Sequence, residues 1–333
     1  MFVVLHRLTA YTADLRRQAG DHLQLPPTIK SLNDKSKSKS KTSASFKAKP
    51  TDKADGASDA SNGVDSASDA TDKVSSGLKT SKEASKPEST PKSLKPPATL
   101  EQTLFERVLA LHGNKVRTML EVQYRMHEKI MAFPSKTLYD GRLVADESVK
   151  TRTVADLIGS DDEDLREPVI FFDTAGQAMY ERASGDDEGA SALTSESKSN
   201  ENEATLVCKH IDALVNAGVA QASIAVVSPY NAQVSLISRA LEDTYPDVEV
   251  GSVDGFQGRE FDVVAVSLVR SNDSREVGFL SEKRRLNVAM TRPRRQLVVV
   301  GNSETVSKGS GYLKAWTDWL EENATVLTPD QVV

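Results

Sequence analysis

The sequence predicts an α/β fold in which a parallel sheet carries helices on both faces. Short apolar runs alternate along the chain with amphipathic stretches, which is the order that builds βαβ units. Several of the apolar runs are continuous, as in parallel strands that are covered on both faces. The length of 333 residues, less one long polar stretch, leaves room for one substantial domain.

The individual elements follow from the same patterns. The apolar runs predict six strands, at 117–122, 169–173, 224–228, 249–253, 263–268 and 296–300. Helical periodicity predicts five helices, at 128–138, 204–217, 232–242, 282–290 and 312–321. Ligands of such sheets gather at the carboxyl ends of the strands, so we expect the chemistry in segments that follow strands or open helices.

The segment 33–98 is rich in Lys, Ser, Asp, Ala, Thr and Pro and has few large apolar residues. It cannot bury enough apolar surface to offset an ordering cost of about 1–2 kcal/mol per residue, so we predict a disordered low-complexity insertion. This insertion is either a tolerated surface loop or a segment that binds a partner or is controlled by phosphorylation. Further polar stretches at 159–164 and 184–202 predict additional variable loops.

The formal net charge of −6 hides an uneven distribution, with basic residues concentrated at 283–295. A local basic groove can bind phosphates, so the net charge leaves a nucleic-acid partner open. Cys208 is the only cysteine, which excludes an internal disulfide or a thiolate-based zinc site. No apolar run approaches the roughly 20 residues of a membrane span, and the first ten residues lack a signal-peptide core. We expect an intracellular protein of the nucleus or cytoplasm with no membrane partner.

Four blocks of residues stand in a fixed order: Gly-Asp-His-Leu-Gln-Leu-Pro-Pro (20–27), Gln-Tyr-Arg-Met-His (123–127), Val-Asp-Gly-Phe-Gln-Gly-Arg-Glu (253–260) and Asn-Val-Ala-Met-Thr-Arg (287–292). The amide of Gln24 can donate to a phosphate and accept from a water. Arg125 and Arg292 can each give several fixed donors to a phosphate, although either alone is equally consistent with a surface cation. Gly255 and Gly258 allow close approach of the backbone to a ligand, or simply form a tight connection. The joint occurrence of the blocks favours a site.

These blocks, with Val-Ser-Pro-Tyr-Asn-Ala-Gln-Val (227–234) and Leu-Val-Arg-Ser-Asn (268–272), resemble the superfamily 1B helicases. The resemblance is to the group that contains the immunoglobulin mu-binding helicase and the fungal DNA polymerase alpha-associated helicase, and it covers 18–33 and 99 to about 324. It implies a RecA-like, P-loop NTPase-type fold. The implied domain plan is an unassigned segment 1–17, the end of a first RecA-like domain at 18–32, the insertion 33–98, a second RecA-like helicase domain at 99–326 and a tail at 327–333.

The resemblance also implies roles for single residues. Gln24 would sense the γ-phosphate of ATP, and Arg125 and Arg292 would act as arginine fingers, a device worth about 10³–10⁵ in rate. The implied nucleotide-binding residues are Tyr124 near the adenine, Glu260 near the sugar or the domain interface, and Gly258. No metal ligand is expected in this chain.

Contacts to single-stranded DNA or RNA would come from four further residues, Ser228, Pro229, Tyr230 and Ser252. Hydroxyls and backbone amides hold phosphates without reading sequence, so we expect strand binding that is sequence-tolerant and salt-sensitive. The resemblance further suggests the replication machinery, DNA polymerase alpha in particular, as a partner.

The sequence departs from the family pattern because it contains no Gly-x-x-x-x-Gly-Lys-Ser/Thr phosphate loop and no Asp-Glu-Ala-Ser block. The similar residues 187–191 follow Arg125, which is the wrong order, so we interpret them as coincidence. ATP and Mg²⁺ are therefore expected only together with a first RecA-like half, and 1–17 are consistent with a truncated or mispredicted gene model.

Two functions stay open. One is the C-terminal motor domain of an ATP-dependent 5′-to-3′ DNA or RNA helicase, inactive alone. The other is a non-catalytic module that binds single-stranded nucleic acid or a replication partner.

Overall fold

The computed structural model describes residues 3–5, 18–25, 103–182 and 197–331, all within the folding unit 1–27 with 101–333. The predicted insertion 33–98 and the echo of an acidic block at 187–191 lie outside the described residues. The strands among them are Val3–Leu5 (β1), Gln18–Gly20 (β2), Arg117–Met119 (β3), Val122–Gln123 (β4), Val144–Ala145 (β5), Val169–Asp173 (β6), Ile224–Ser228 (β7), Glu249–Ser252 (β8), Phe261–Ser267 (β9), Pro293–Gly301 (β10) and Thr325–Leu327 (β11). The α-helices are Leu104–His112 (α1), Glu128–Leu138 (α2), Val154–Ile158 (α3), Glu201–Asn216 (α4), Asn231–Leu241 (α5), Lys283–Met290 (α6), Ser303–Val306 (α7) and Gly311–Asn323 (α8).

The main sheet has six strands in the order β11-β6-β10-β9-β7-β8, and every pairing in it is parallel. The predicted strands 169–173 and 224–228 have the bounds of β6 and β7. β9 and β10 begin earlier than predicted, because Asp262 in β9 and the residues Pro293, Arg294 and Arg295 in β10 interrupt the apolar signal at their starts. The α/β prediction with a parallel sheet is confirmed.

Helices cover both faces of this sheet, as predicted. Successive side chains of a strand point to opposite faces, and in β10 the residues Leu297 and Val299 join an apolar cluster that includes α2, α6 and α8. Val298 and Val300, on the other face, join a second cluster with α4 and α5. Burying one such side chain stabilises the fold by about 1.5–3 kcal/mol relative to leaving it exposed, which explains why the strands are continuously apolar.

Two smaller sheets flank the main one. β1 pairs antiparallel with β2 and with β3, and β4 pairs parallel with β5. The prediction of a single strand at 117–122 is therefore wrong, because its two halves take different partners. β2 leads directly into the turn that holds Gln24, so the small sheet positions a residue of interest.

The sequence analysis assigned no element to α1, α3, α7 or β11. α1 begins with a capping box in which the hydroxyl of Thr103 accepts from the backbone N–H of Glu106 at 3.2 Å, and the Glu106 carboxylate accepts from the N–H of Thr103 at 2.9 Å. The other three elements have three to five residues, too few to show a period. No helix in the described part of the chain is long and apolar enough to cross a membrane.

Candidate functional site

The loop after β4 presents Arg125. The buried amide of Gln123 accepts from the backbone N–H groups of Arg125 and Met126 at 2.8 and 2.7 Å and donates to the Met126 carbonyl at 2.8 Å. This side chain thereby fixes the path of the loop. The Arg125 guanidinium donates to Glu260 Oε2 at 2.5 Å and to the Thr291 carbonyl at 3.0 Å, which brings two of the predicted blocks to the third.

Arg292 follows α6 and is only 1% exposed. Its Nε donates to the Val288 carbonyl at 2.8 Å and its Nη1 to the Arg259 carbonyl at 3.0 Å. Its Nη2 reaches Thr291 Oγ1 at 3.0 Å and Gln24 Oε1 at 3.4 Å. Burial, and then the positive charge of Arg125, lower the pKa of Arg292 to about 10, so the guanidinium is still charged at neutral pH.

Gln24 lies in a turn that is held against the domain by buried polar groups. Asp21 closes the turn by accepting from the N–H of Leu23 at 3.0 Å, and its other carboxylate oxygen accepts from the Tyr139 hydroxyl at 2.7 Å. The Asn287 amide donates to the Leu23 carbonyl at 2.9 Å and to the Tyr139 hydroxyl at 2.7 Å. The first and last predicted blocks are therefore joined through Asn287.

Glu260 accepts from two arginines, Arg125 at 2.5 Å and Arg294 at 2.6 Å. Partial burial alone would raise the pKa of this carboxyl, but hydrogen bonds from Arg294 and Arg125 lower it to about 2. The carboxylate is consequently ionised throughout the neutral range and holds Arg125 in place.

A cavity of about 670 Å³ opens beside these residues, lined by Gln24, Tyr124, Arg125 and Glu260 together with apolar side chains of β3 and β4. This volume is in the usual range for small-molecule sites. Tyr124 is 67% exposed as a residue, so a planar ligand can reach its side chain. The cavity thus combines a guanidinium, which is paired with the Glu260 carboxylate, with an aromatic and apolar side, and Glu121 adds a second carboxylate to its lining. Gly258, at a φ of +84° that favours glycine, is not among its lining residues.

This cluster lies at the amino ends of the strands. Glu260 and Arg292 immediately precede β9 and β10, whose first residues Phe261 and Pro293 pair with each other. The expectation that ligands gather at the carboxyl edge is wrong for this cluster, because its side chains come from the segments that enter the strands.

The four predicted strand contacts lie together at the opposite edge. Ser228 and Ser252 end the neighbouring strands β7 and β8 and pair with each other. Pro229 and Ser252 are partly exposed. Ser228 and Tyr230 are buried, and the Tyr230 hydroxyl donates to the Val277 carbonyl at 3.0 Å. These two side chains therefore pack inside the protein at this edge.

Comparison with known proteins identifies the family. The profile of the AAA domain family matches residues 100–304. This chain belongs to that family. The DNA polymerase alpha-associated DNA helicase A of Saccharomyces cerevisiae is 49% identical over 241 residues, which cover 69% of this chain and 34% of the yeast protein. The mouse DNA-binding protein SMUBP-2 is 44% identical over 69% of this chain and 22% of its own length.

The Regulator of nonsense transcripts 1 homolog of Neurospora crassa is 38% identical over 63% of this chain and 19% of its own length. These relatives confirm a superfamily 1 helicase-type domain. The chain spans about a third of the length of the yeast relative. Among solved structures, the C-terminal domain of a possible DNA helicase from Lactobacillus plantarum covers 57% of the chain at 15% identity and a TM-score of 0.32, which is too slight to carry an argument.

Several residues of this helicase-family cluster escaped the sequence analysis. Asn287 and Thr291 belong to the block 287–292, which indicated a site, but the sequence suggested no role for either residue. Arg294 follows that block by two residues and gave only a basic-patch signal. Tyr139 lies in no block, and nothing in the sequence marks it. Among the described residues, no cluster of three or more His, Cys, Asp or Glu side chains is arranged to hold a metal ion.

Proposed function

We propose that this chain is the C-terminal motor domain of an ATP-dependent 5′-to-3′ DNA or RNA helicase, with 99–326 as a second RecA-like domain and 18–32 as the end of a first. The observation that carries the proposal is that Gln24 and Arg125, from two separate blocks, line one cavity, while the buried Arg292, from a third block, lies 3.4 Å from the amide oxygen of Gln24. They place a guanidinium and an amide beside a nucleotide-sized space, with a second guanidinium buried next to the amide.

In this proposal ATP supplies a phosphoryl group on which negative charge develops during transfer. Arg125 neutralises that charge at the cavity, and Arg292, whose guanidinium is fixed by two backbone carbonyls, adds a positive charge next to Gln24. Gln24 orients a water or a phosphate oxygen, and the exposed ring of Tyr124 stacks on the base. Glu260 holds Arg125 until the nucleotide competes for it.

The segment 253–260 runs from the carboxyl edge of the sheet, where we propose that single-stranded nucleic acid binds, to the amino edge beside the cavity. We propose that it couples binding of the nucleic acid to ATP hydrolysis. It leaves β8 at the carboxyl edge, beside Ser252, and enters β9 at the amino edge, beside Glu260. Gln257 ties its middle to the Gln24 segment by donating to the Leu25 carbonyl at 2.8 Å. A movement of Ser252 on binding of nucleic acid would therefore also displace Glu260.

The test is strand-stimulated ATP hydrolysis by the 333-residue chain and by the same chain joined to an upstream domain that carries a phosphate loop. We expect turnover only in the joined protein, since no phosphate loop is present in the sequence. Arg166→Ala, which removes an exposed arginine paired with Asp161, is the matched control for Arg125→Ala.

Strand binding without turnover in the joined protein would favour the non-catalytic module instead. Turnover that survives Arg125→Ala unchanged would remove Arg125 from the site. A link to DNA polymerase alpha rests on the name of the fungal relatives, and co-purification of the two proteins tests it.

A further inference from the structure

Phe279 is an exposed aromatic residue on a rigid turn, and none of the predicted roles includes it. Its side chain belongs to a residue that is 49% exposed, whereas the flanking Val277 and Leu280 are buried. The backbone of the turn is closed by Leu280 N–H to the Val277 carbonyl at 3.1 Å and by Glu282 N–H to the Phe279 carbonyl at 3.3 Å. The ring is thus held outward by a backbone anchored on both sides.

The turn cannot move aside easily. Gly278 has a φ of +50°, and a Cβ there would lie 2.5 Å from the Arg270 guanidinium and 2.9 Å from the Tyr230 hydroxyl. Arg270 is itself fixed by an ion pair with buried Glu181 at 2.8 Å. A preorganised ring loses little freedom when a ligand stacks on it, which favours binding.

Phe279 contacts both segments that carry the proposed strand contacts. The centre of its ring lies 5.5 Å from that of Tyr230, with an angle of 56° between the ring planes. Tyr230 directly follows Ser228 and Pro229 in the chain. The guanidinium of Arg285 lies over the Phe279 ring at 5.6 Å and pairs with Asp254 at 3.7 Å, two residues after Ser252.

We infer that Phe279, backed by Arg285, is a base-stacking residue for single-stranded nucleic acid at the carboxyl edge of the sheet. The inference rests on the proposed function and deepens it, because the Ser252 hydroxyl can donate to a phosphate but neither Ser252 nor Pro229 offers an aromatic ring to a base. Every base has a π face, so stacking of this kind is sequence-tolerant. Nearby charges include exposed Lys283 and exposed Glu282, and the contribution of the ring should be independent of them.

The experiment measures binding of the full chain to a fluorescent mixed-sequence single strand and to a strand of the same length made of abasic units, each as DNA and as RNA where available. Phe279→Ala should weaken binding to the intact strand by roughly 5- to 150-fold and leave binding to the abasic strand unchanged. The salt dependence should keep its slope, because no phosphate contact is lost. Phe279→Trp should restore the affinity, and Tyr180→Ala, which removes another exposed ring (55%), should have no effect.

Equal binding of the intact strand by Phe279→Ala and the wild-type chain would overturn the inference and leave the proposed function standing. An equal loss on intact and abasic strands, or a loss that Trp does not restore, would also overturn it, since either would indicate a structural role. If the wild-type chain shows no salt-sensitive strand binding, the inference and the strand-binding part of the proposed function fall together.

Discussion

Tyr139→Phe removes one oxygen atom from the joint that holds the Gln24 turn. The Tyr139 hydroxyl donates to Asp21 Oδ2 at 2.7 Å and accepts from Asn287 Nδ2 at 2.7 Å, and the residue is only 3% exposed. Burial, and then the charge of Asp21, raise the pKa of Tyr139, so the phenol stays protonated and keeps donating. Phenylalanine fills the same space without a donor or an acceptor.

The expected cost follows from these two bonds. A hydrogen bond to a charged group contributes about 1.5–3 kcal/mol and a neutral one about 0.5–1.5 kcal/mol. The variant should therefore lose about 3 kcal/mol of unfolding free energy. Domains of about 150–250 residues lose about 2–4 °C in Tm per kcal/mol, so Tm should fall by about 6–12 °C.

Thermal unfolding of the full chain, followed by circular dichroism, measures this change. Tyr245→Phe is the matched control because the Tyr245 hydroxyl also donates to a carboxylate, that of Asp212, but at the surface, where water replaces the bond. We expect its Tm to stay at the wild-type value. If Tyr139→Phe also unfolds at the wild-type temperature, the Gln24 turn is not held through this hydroxyl, and the geometry of the site would have to be drawn differently.

Three other changes are informative. In the joined two-domain protein, Arg125→Ala should lower ATP turnover stimulated by single-stranded nucleic acid by about 10³-fold or more, while affinity for the nucleic acid is retained. Arg292→Lys should do the same; lysine is chosen because alanine would leave the carbonyls around the buried guanidinium without a donor. Normal turnover in both variants would refute the arginine-finger roles. Burial raises the pKa of Glu203 to about 7, so the contribution of Glu203 to stability should fall as pH rises from about 4.5, where the unfolded carboxyl titrates, to about 7, whereas that of His210, whose pKa burial lowers to about 4, should rise over the same range. The stability of Glu203→Gln relative to the wild-type chain in urea titrations should therefore increase from pH 4.5 to 7, and parallel pH profiles would contradict this. Gly278→Ala should lower the urea midpoint because of its positive φ and the crowding by Arg270, whereas an unchanged midpoint would show that the turn can relax.

The centre of the sheet was predictable from sequence because its inner strands are buried on both faces. Continuous apolar runs marked β6 and β7 to the residue, and helical periodicity gave α2 its observed bounds. The short elements were not predictable, since three residues such as those of β11 carry no period and owe their conformation to the strand beside them. The split of 117–122 into β3 and β4 likewise depends on partners that are distant in sequence.

The residues of the candidate site were predictable from sequence, but the hydrogen bonds that connect them were not. The blocks named Gln24, Arg125 and Arg292 because chemistry restricts which side chains handle phosphates. Their connections run through Tyr139, whose hydroxyl has no sequence signature, and through backbone carbonyls such as that of Thr291, which every residue possesses. Such contacts follow only once the chain has been folded.

The segment 268–272 follows β9 at the carboxyl edge of the main sheet. Its backbone is held by neighbouring residues in a conformation that it would not adopt alone. Val269 has a φ of +70°, which is costly for a β-branched residue and persists only where the surroundings fix it. Here the fully buried Glu203 carboxylate accepts from the Val269 N–H at 2.8 Å, and the Asn200 amide donates to its carbonyl at 3.3 Å. The next residue, Arg270, then reaches the Tyr230 hydroxyl at 3.4 Å. Glu203 of α4 and Asn200, the N-cap residue of that helix, therefore set the position of Tyr230 and of the Phe279 turn, so a substitution at Glu203 should alter affinity for the nucleic-acid strand without contacting it.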